Sequence, residues 1–424
     1  MGKRFTYWIL GGLILGAVAG YILNNTLPDP KTASVVAGYF SLITDLFLRL
    51  IKMIIAPLVI SMLIVGIAHM GDLNAIGRIG LKAMAWFFSA SLVSLALGLV
   101  MVNLLRPGDN LNLPLPEAGT ATNLKVSALS LKEFVTHLVP RSIIEAMANN
   151  EILQIVVFAI FAGVAVTSLG EKGKRIVELA DELAHMMLKI TNYVMLTAPL
   201  AVFAAVTATV TTQGIGILVT YGKFMGQFYL CLALLWVVLV LAGSVFIGPR
   251  TITLLRFIRE PFLLAFSTSS SEAAYPKTVE QLERFGVSNR IVSFVLPLGY
   301  SFNLDGTMMY CTFATMFIAQ AYGIDLPFTT QLAMLLLLML TSKGMAGVPR
   351  ASLVVIAATL STFNVPEAGL LLIIGIDQFL DMGRSATNVI GNSLAASAVA
   401  KFEHDLGPAN DEEPNTQAPA PAIA

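Results

Sequence analysis

Thr341-Ser342-Lys343-Gly344-Met345-Ala346-Gly347-Val348-Pro349-Arg350 separates the nine apolar residues Leu332 to Leu340 from a second apolar stretch, Ala351 to Leu360. At the α-helical rise, nine residues cover roughly 13 Å, under half of a ~30 Å hydrocarbon core. The segment therefore reads as a re-entrant helix–turn–helix whose polar tip ends inside the membrane. An earlier segment repeats the design. After Pro261, Phe262 to Phe266 leads into Ser267-Thr268-Ser269-Ser270-Ser271-Glu272, and helix-like chain then runs to Lys277 and Arg284. Irregular backbone at that depth persists only where protein or a water-filled cavity satisfies it. Two kinked spans would instead make ten helices and place the charged stretch Lys277 to Arg290 on the outer side.

Each hairpin precedes a long apolar run interrupted by polar residues, 290–321 and 368–400. Hairpin plus broken helix, occurring twice, is the pattern of an inverted repeat with its site at the midplane. Other runs long enough to span are 5–24, 38–68, 78–105, 152–169, 186–212 and 216–247, so the expected fold is all-α, with eight transmembrane helices plus two re-entrant hairpins. Lys3, Arg4, Arg78, Lys82, Lys172, Lys174, Arg175, Arg250, Arg256 and Arg259 fall on alternate loops, which places both termini inside. Residues 5 to 23 could pass for a signal peptide, but further spans follow and they read as the first helix. Its Gly12, Gly16 and Gly20 form a small-residue stripe for close helix packing.

The composition agrees. The chain of 424 residues is 56% hydrophobic and 12% charged, against about a quarter charged in soluble domains. Zero net charge argues against a nucleic-acid partner. Cys231 and Cys311 lie in apolar runs and suggest neither a metal site nor a disulfide. Asp45, Arg49 and Lys52, at near-helical spacing, read as an ion pair with snorkelling near an interface. The Pro- and acid-rich residues 405–424 are expected to be a disordered tail.

The last span carries the chemistry. Asp377, Asp381, Arg384, Asn388 and Asn392 advance by three or four residues and share one helical face. A charge at mid-membrane costs about 2.5–3.5 kcal/mol, so three facing lipid would cost on the order of 8–10 kcal/mol. The stripe must face protein or water. Arg384 offers a planar fork for a carboxylate, and Ser269, Ser270 and Ser271 can donate to a second one. Asp381 could accept a substrate ammonium, or form a structural bridge with Arg384. In Ser301-Phe302-Asn303-Leu304-Asp305-Gly306-Thr307 the polar residues favour unwinding, which frees carbonyl oxygens beside a carboxylate for a small hard cation.

Ser269-Ser270-Ser271, Asn303-Leu304-Asp305-Gly306-Thr307, Ala346-Gly347-Val348-Pro349 and Asp381-Met382-Gly383-Arg384 with Asn388 resemble, in order and spacing, the glutamate transporter family of dicarboxylate/amino acid:cation symporters. The resemblance covers nearly the whole chain and points to the bacterial proton/sodium-glutamate and C4-dicarboxylate carriers. It implies a homotrimer in a bacterial cytoplasmic (inner) membrane and an elevator mechanism. Residues 1–250 would be mostly trimerisation scaffold, the third and sixth spans joining a transport core at 251–404. Arg384 would bind the distal carboxylate, Asp381 the amino group, and Asn388 with the serine tip the main carboxylate. Thr307, Gly347 and Ser385 would complete the substrate site. Gly299, Asn303, Asn388 and Asn392 would surround one cation, and Ser91, Asn303 and Asp305 a second. Ser301, Ser342 and Met345 would supply a third site. Sodium-coupled relatives typically carry an aspartate at the position of Asn392 and a threonine at Ala90. Cys311 replaces a glutamate linked to proton and potassium coupling in animal relatives. Glu272 or Asp305 is a candidate titratable group for partly proton-driven coupling, with no cofactor beyond the ion.

A symporter for L-glutamate and L-aspartate is the leading expectation, with a C4-dicarboxylate:cation symporter as the alternative. An ion channel is opposed by two gated hairpins. An intramembrane hydrolase is opposed by the absence of a nucleophile motif beside Lys343, the one plausible base, so no enzymatic activity is expected.

Overall fold

The computed structural model describes residues 3–27, 29–70, 73–109, 115, 136, 139–214, 221–342, 351–374 and 376–410. The second hairpin's tip, with Lys343, Met345, Gly347 and Arg350, lies outside the described residues. Among the described residues the chain is helical, apart from one antiparallel bridge between Val287 and Leu406.

Three long helices open the chain: α1 (Lys3–Thr26), α2 (Pro30–Met70) and α3 (Leu73–Leu105). Asp29 caps α2, accepting from the Thr32 amide at 2.8 Å, with Pro30 in the first position where no amide is needed. Short α4 (Ile143–Ala148), α5 (Ile152–Ser168), α6 (Lys174–Met195) and α7 (Ala198–Gln213) follow. The expected span 186–212 is in fact two helices. The Gly170–Met195 stretch and α7 meet at a 53° bend, with Pro199 in the first turn of α7. Then comes α8 (Gly222–Ile247). Four stretches are long and apolar enough to cross a membrane (7–26, 30–68, 75–105 and 222–247), and the bent pair makes a fifth.

The glycine stripe of α1 packs on α7, as its spacing suggests. A Cβ on Gly12 or Gly16 would sit 2.6 Å from the carbonyl oxygen of Pro199 or Phe203.

The first hairpin consists of α9 (Arg250–Thr268) and α10 (Ser271–Phe285), packed on each other across a two-residue turn. Its first arm begins at Arg250, well before the apolar run after Pro261; the charges at Arg256 and Arg259 masked it, and both are exposed on the helix. Ser269 makes the turn in the left-handed region (φ 51°), and Ser270 caps α10, its hydroxyl accepting from the Ala273 amide at 3.2 Å. The interrupted run 290–321 is two helices, α11 (Asn289–Phe302) and α12 (Asp305–Ala321), broken at Asn303-Leu304 where polar residues were read as unwinding. α13 (Phe328–Thr341) and α14 (Ala351–Thr362) flank the second tip. A short α15 (Leu371–Ile374) leads to α16 (Asp377–Phe402).

α16 is the hub. It packs against α3, α8, α9, α10, α11 and α12, and nearly every residue from Gly383 to Ala400 is buried. Past its end, Glu403 bonds Arg78 (2.7 Å) and Lys82 (2.5 Å) of α3. Asp405 pairs with Arg290 and Ser288, and Arg250 donates to the carbonyl oxygens of Phe285 and Gly407. Gly286, at φ 105°, could not carry a side chain, because a Cβ would strike the Gly407 carbonyl. The first residues of the expected tail are thus tied down, and 411–424 lie outside the described residues.

The Arg78 hydrogen bond, opposed by burial and helped by Lys82, holds the Glu403 carboxyl at about 2 instead of its usual 4.5. A depressed folded-state pKa gives stability that is complete above the unfolded value and is lost as pH falls from about 4.5 toward about 2. Glu403→Gln should lower the thermal unfolding temperature in detergent at pH 7 and flatten the acid-side loss, measured by a stability scan from neutral pH downward. An unchanged acid limb would refute this role for Glu403.

Candidate functional site

The hub helix, the first hairpin and the α11–α12 break meet around a cavity of about 410 Å³. Ser269, Ser270, Ser271, Thr307, Asp381, Arg384, Ser385 and Asn388, all anticipated as substrate residues, line it. Gly347 lies outside the described residues.

Arg384 is 5% exposed. Its Nε donates to Asp381 Oδ1 at 2.7 Å, Nη1 donates to the Ser352 hydroxyl, and the guanidinium lies 4.9 Å above the Tyr310 ring. Asp377 Oδ1 stands 3.9 Å away and accepts from the Tyr310 hydroxyl at 2.9 Å. The internal Asp381–Arg384 bridge therefore forms, and Asp381 Oδ1 also accepts from Ser385 at 2.8 Å. Both ends of the bridge still reach the cavity. A guanidinium so placed lies over an aromatic face and beside two carboxylates, the type of group that can also take an anion on a planar fork.

Asn388 ties α16 to the start of α12. Its Oδ1 accepts from the Gly306 amide at 2.9 Å, and its Nδ2 donates to Thr307 Oγ1 at 3.1 Å. Gly306 permits the approach, since a Cβ there would collide with the Arg384 backbone. At the hairpin turn, the Gln378 amide donates to Ser269 Oγ at 2.7 Å.

Behind the cavity lies a second polar cluster. Asn303 Nδ2 donates to Asp305 Oδ2 at 3.2 Å and to Asn392 Oδ1 at 3.3 Å. Ser94 donates to Asp305 Oδ1 at 3.3 Å, and Ser91 to the Phe302 carbonyl at 3.4 Å. Asn303 and Asp305 are fully buried, yet Ser301 Oγ, Asn303 Oδ1 and Asn392 Nδ2 have no hydrogen-bond partner. Buried polar atoms are almost always paired, so orphaned oxygens beside a buried carboxylate fit a small cation. Gly299 adjoins the cluster, because a Cβ there would strike the Asn392 side chain. Ser342 is buried just past the end of α13 and donates to the Met339 carbonyl at 3.1 Å, back into its own helix and not toward the cation cluster. Met345 lies outside the described residues.

The ion pair expected among Asp45, Arg49 and Lys52 does not form among the described residues. The side chains of α2 at 45, 49 and 52 are unpaired among the described residues, and Asp45 and Lys52 line the same cavity as Arg384. Ser352, Tyr310, Gln378 and Ser94 escaped sequence reading. Ser94 could have been found, being three residues from Ser91 on the same face of an apolar helix. The other three owe their place to contacts across the fold.

A family model described as the sodium:dicarboxylate symporter family matches residues 5–402. The chain is 40% identical, over 95% of its length and 94% of the relative's, to a proton/sodium-glutamate symport protein of Geobacillus stearothermophilus. It is 38% identical to the proton/sodium-glutamate symport protein of Bacillus subtilis (strain 168), again over 95% of this chain and 94% of the relative. It is 39% identical to a C4-dicarboxylate transport protein of Laribacter hongkongensis, over 93% of this chain and 89% of that one. The chain belongs to the sodium:dicarboxylate symporter family.

Proposed function

We propose that this family member is a secondary active symporter that imports the acidic amino acids L-glutamate and L-aspartate, driven by sodium, protons or both. The observation that carries the reading is the Asp381–Arg384 pair, two opposite charges of one helix that bond at 2.7 Å and share a cavity wall. A zwitterionic diacid replaces that bond with two, its distal carboxylate on Arg384 and its ammonium on Asp381. The main carboxylate meets Asn388 and the serine turn, at the start of α10, where backbone amides point at an anion. One cation sits among Gly299, Asn303, Asn388 and Asn392 and a second among Ser91, Asn303 and Asp305, with a further site at Ser301, Ser342 and Met345. Transport of an anion with its cations through a rearranging hairpin is not chemistry on the substrate, so the protein is not an enzyme.

The same reading takes the architecture as eight spans plus two re-entrant hairpins in inverted repeats, assembled as a homotrimer in a bacterial inner membrane with both termini cytoplasmic. In it α3, α8, both hairpins, α11–α12 and α16 move as one body against the other spans. Support comes from the way α16 packs on α3, α8, α9, α10, α11 and α12, with α14 in turn packed on α12.

A C4-dicarboxylate substrate is the second reading. It is favoured by Asp381 Oδ1, which already accepts from Arg384 and Ser385 and so needs no ammonium. Asp381→Asn separates the two. For an amino-acid carrier, the half-saturation concentration of L-aspartate should rise by about ten- to a hundredfold, the worth of a charged hydrogen bond. Succinate inhibition should change far less. Competition uptake in proteoliposomes checks this, and a wild type preferring succinate would reverse the assignment.

A further inference from the structure

Lys277, in the second turn of α10, is 3% exposed and faces two carboxylates. It donates to Glu280 at 2.9 and 3.1 Å, whereas Glu260 of α9, itself 8% exposed, stands 3.7 Å away. Glu260 Oε1 is buried with no hydrogen-bond partner. One ammonium is thus shared by two carboxylates, bonded closely to Glu280 and at longer range to Glu260, between the arms of the first hairpin. With all three groups ionised the cluster carries one surplus negative charge, and one proton on Glu260 neutralises it. Low-polarity surroundings favour the neutral form.

Among the described side chains no further cation pairs with Glu260, whose surroundings otherwise include Glu280 and the field of the chain's amino terminus. Of the helices packed on α9, α7 has no titratable residue. α8 offers Lys223, which is exposed, Cys231, and Tyr229, which donates to the Phe379 carbonyl. On α16, Asp377, Asp381 and Arg384 belong to the substrate network, and Lys401 is exposed at its end. α1 brings Lys3 and Arg4 in sequence, their side chains outside the described set, and the exposed Tyr7 and Tyr21. On the α10 side, Gln281 donates to Glu280 at 3.4 Å, and Glu283 accepts from Asn289 with Asp181 and His185 of α6 facing it. From α11, Arg290 is paired with Asp405, and Tyr300 packs on Tyr275. From α2, Asp45 and Lys52 line the cavity, and Arg49 is exposed.

We infer that the Glu260–Lys277–Glu280 cluster is a proton-binding site, with Glu260 the group that takes a proton from water on one side and releases it on the other. The inference rests on the symporter reading and specifies where its proton rides. Nothing in it involves Asp305 or the cation cluster.

The test uses the full chain in liposomes enclosing a pH-sensitive dye. Wild type should acidify the interior as L-aspartate or succinate enters. Glu260→Gln, fixed in the neutral form, should still exchange labelled for unlabelled substrate, while net uptake driven by a pH gradient falls by about tenfold or more. Glu280→Gln leaves one carboxylate to one ammonium, so it should also lose proton coupling, and it carries the prediction if the first variant does not fold. A merely structural role would lower exchange and net uptake together and would overturn the assignment. Unchanged acidification in either variant, or sodium-driven wild-type uptake with none, would do the same. No wild-type uptake under any gradient would instead overturn the symporter reading, and this site with it.

Discussion

Arg384→Ala is expected to lower uptake of every dicarboxylate or acidic amino acid by about a hundred- to a thousandfold, since removing one partner of a buried ion pair costs about 3–5 kcal/mol. The guanidinium is 5% exposed and holds Asp381 at 2.7 Å with Asp377 at 3.9 Å. Its loss strands two carboxylates as well as the substrate's own. Arg384→Lys keeps the charge but not the fork, and an ammonium can neither stack flat on Tyr310 nor reach Asp381 and Ser352 together. It should recover folding and part of the affinity, and leave the half-saturation concentration clearly raised. Initial uptake rates with thermal unfolding of the same preparations check both variants. Wild-type uptake by a folded Arg384→Ala would remove Arg384 from the site.

The second large effect is expected at Gly391. This helical glycine faces Asp305, and a Cβ would overlap the carboxylate, standing 2.9 Å from its carboxyl carbon and 3.3 Å from Asn303 Nδ2. Alanine is the better helix former by about 1 kcal/mol, so local propensity alone favours Gly391→Ala. Overpacking opposes it by about 1–3 kcal/mol, and the displaced groups are the cluster with orphaned oxygens. Sodium affinity, read from substrate binding across sodium concentrations, should fall by about tenfold while the protein still folds. Unchanged sodium dependence would separate the cluster from coupling.

Much of this arrangement was legible before any coordinates. The break at Asn303-Leu304 follows from polar residues interrupting an apolar helix, and the stripe on α16 from spacing and the insertion penalty of three charges. The glycine stripe of α1 announced a close helix contact, though not that its partner would be α7. Other features are invisible to local patterns. The first arm of the hairpin starts at Arg250 because its exposed arginines sit on one face while Leu254, Ile258 and Leu264 are buried on the other. Length and apolarity alone hid that periodicity. Asp45, Arg49 and Lys52 looked like an ion pair with snorkelling at near-helical spacing, yet Asp45 and Lys52 line the cavity. Tyr310 and Ser352 hold Arg384 from helices far away in sequence, and no spacing rule reaches them. Glu260 and Lys277 meet only because the hairpin folds back at Ser269.

The most direct test of a cation-coupled symporter is accumulation of labelled L-aspartate and succinate in proteoliposomes of the wild-type chain, with sodium and pH gradients imposed separately and then collapsed by ionophore. The expected result is saturable uptake that rises above the external concentration while a gradient lasts and drains when it is removed. Uptake that only equilibrates, or that ignores both gradients, would contradict it and make the cavity part of a passive pathway.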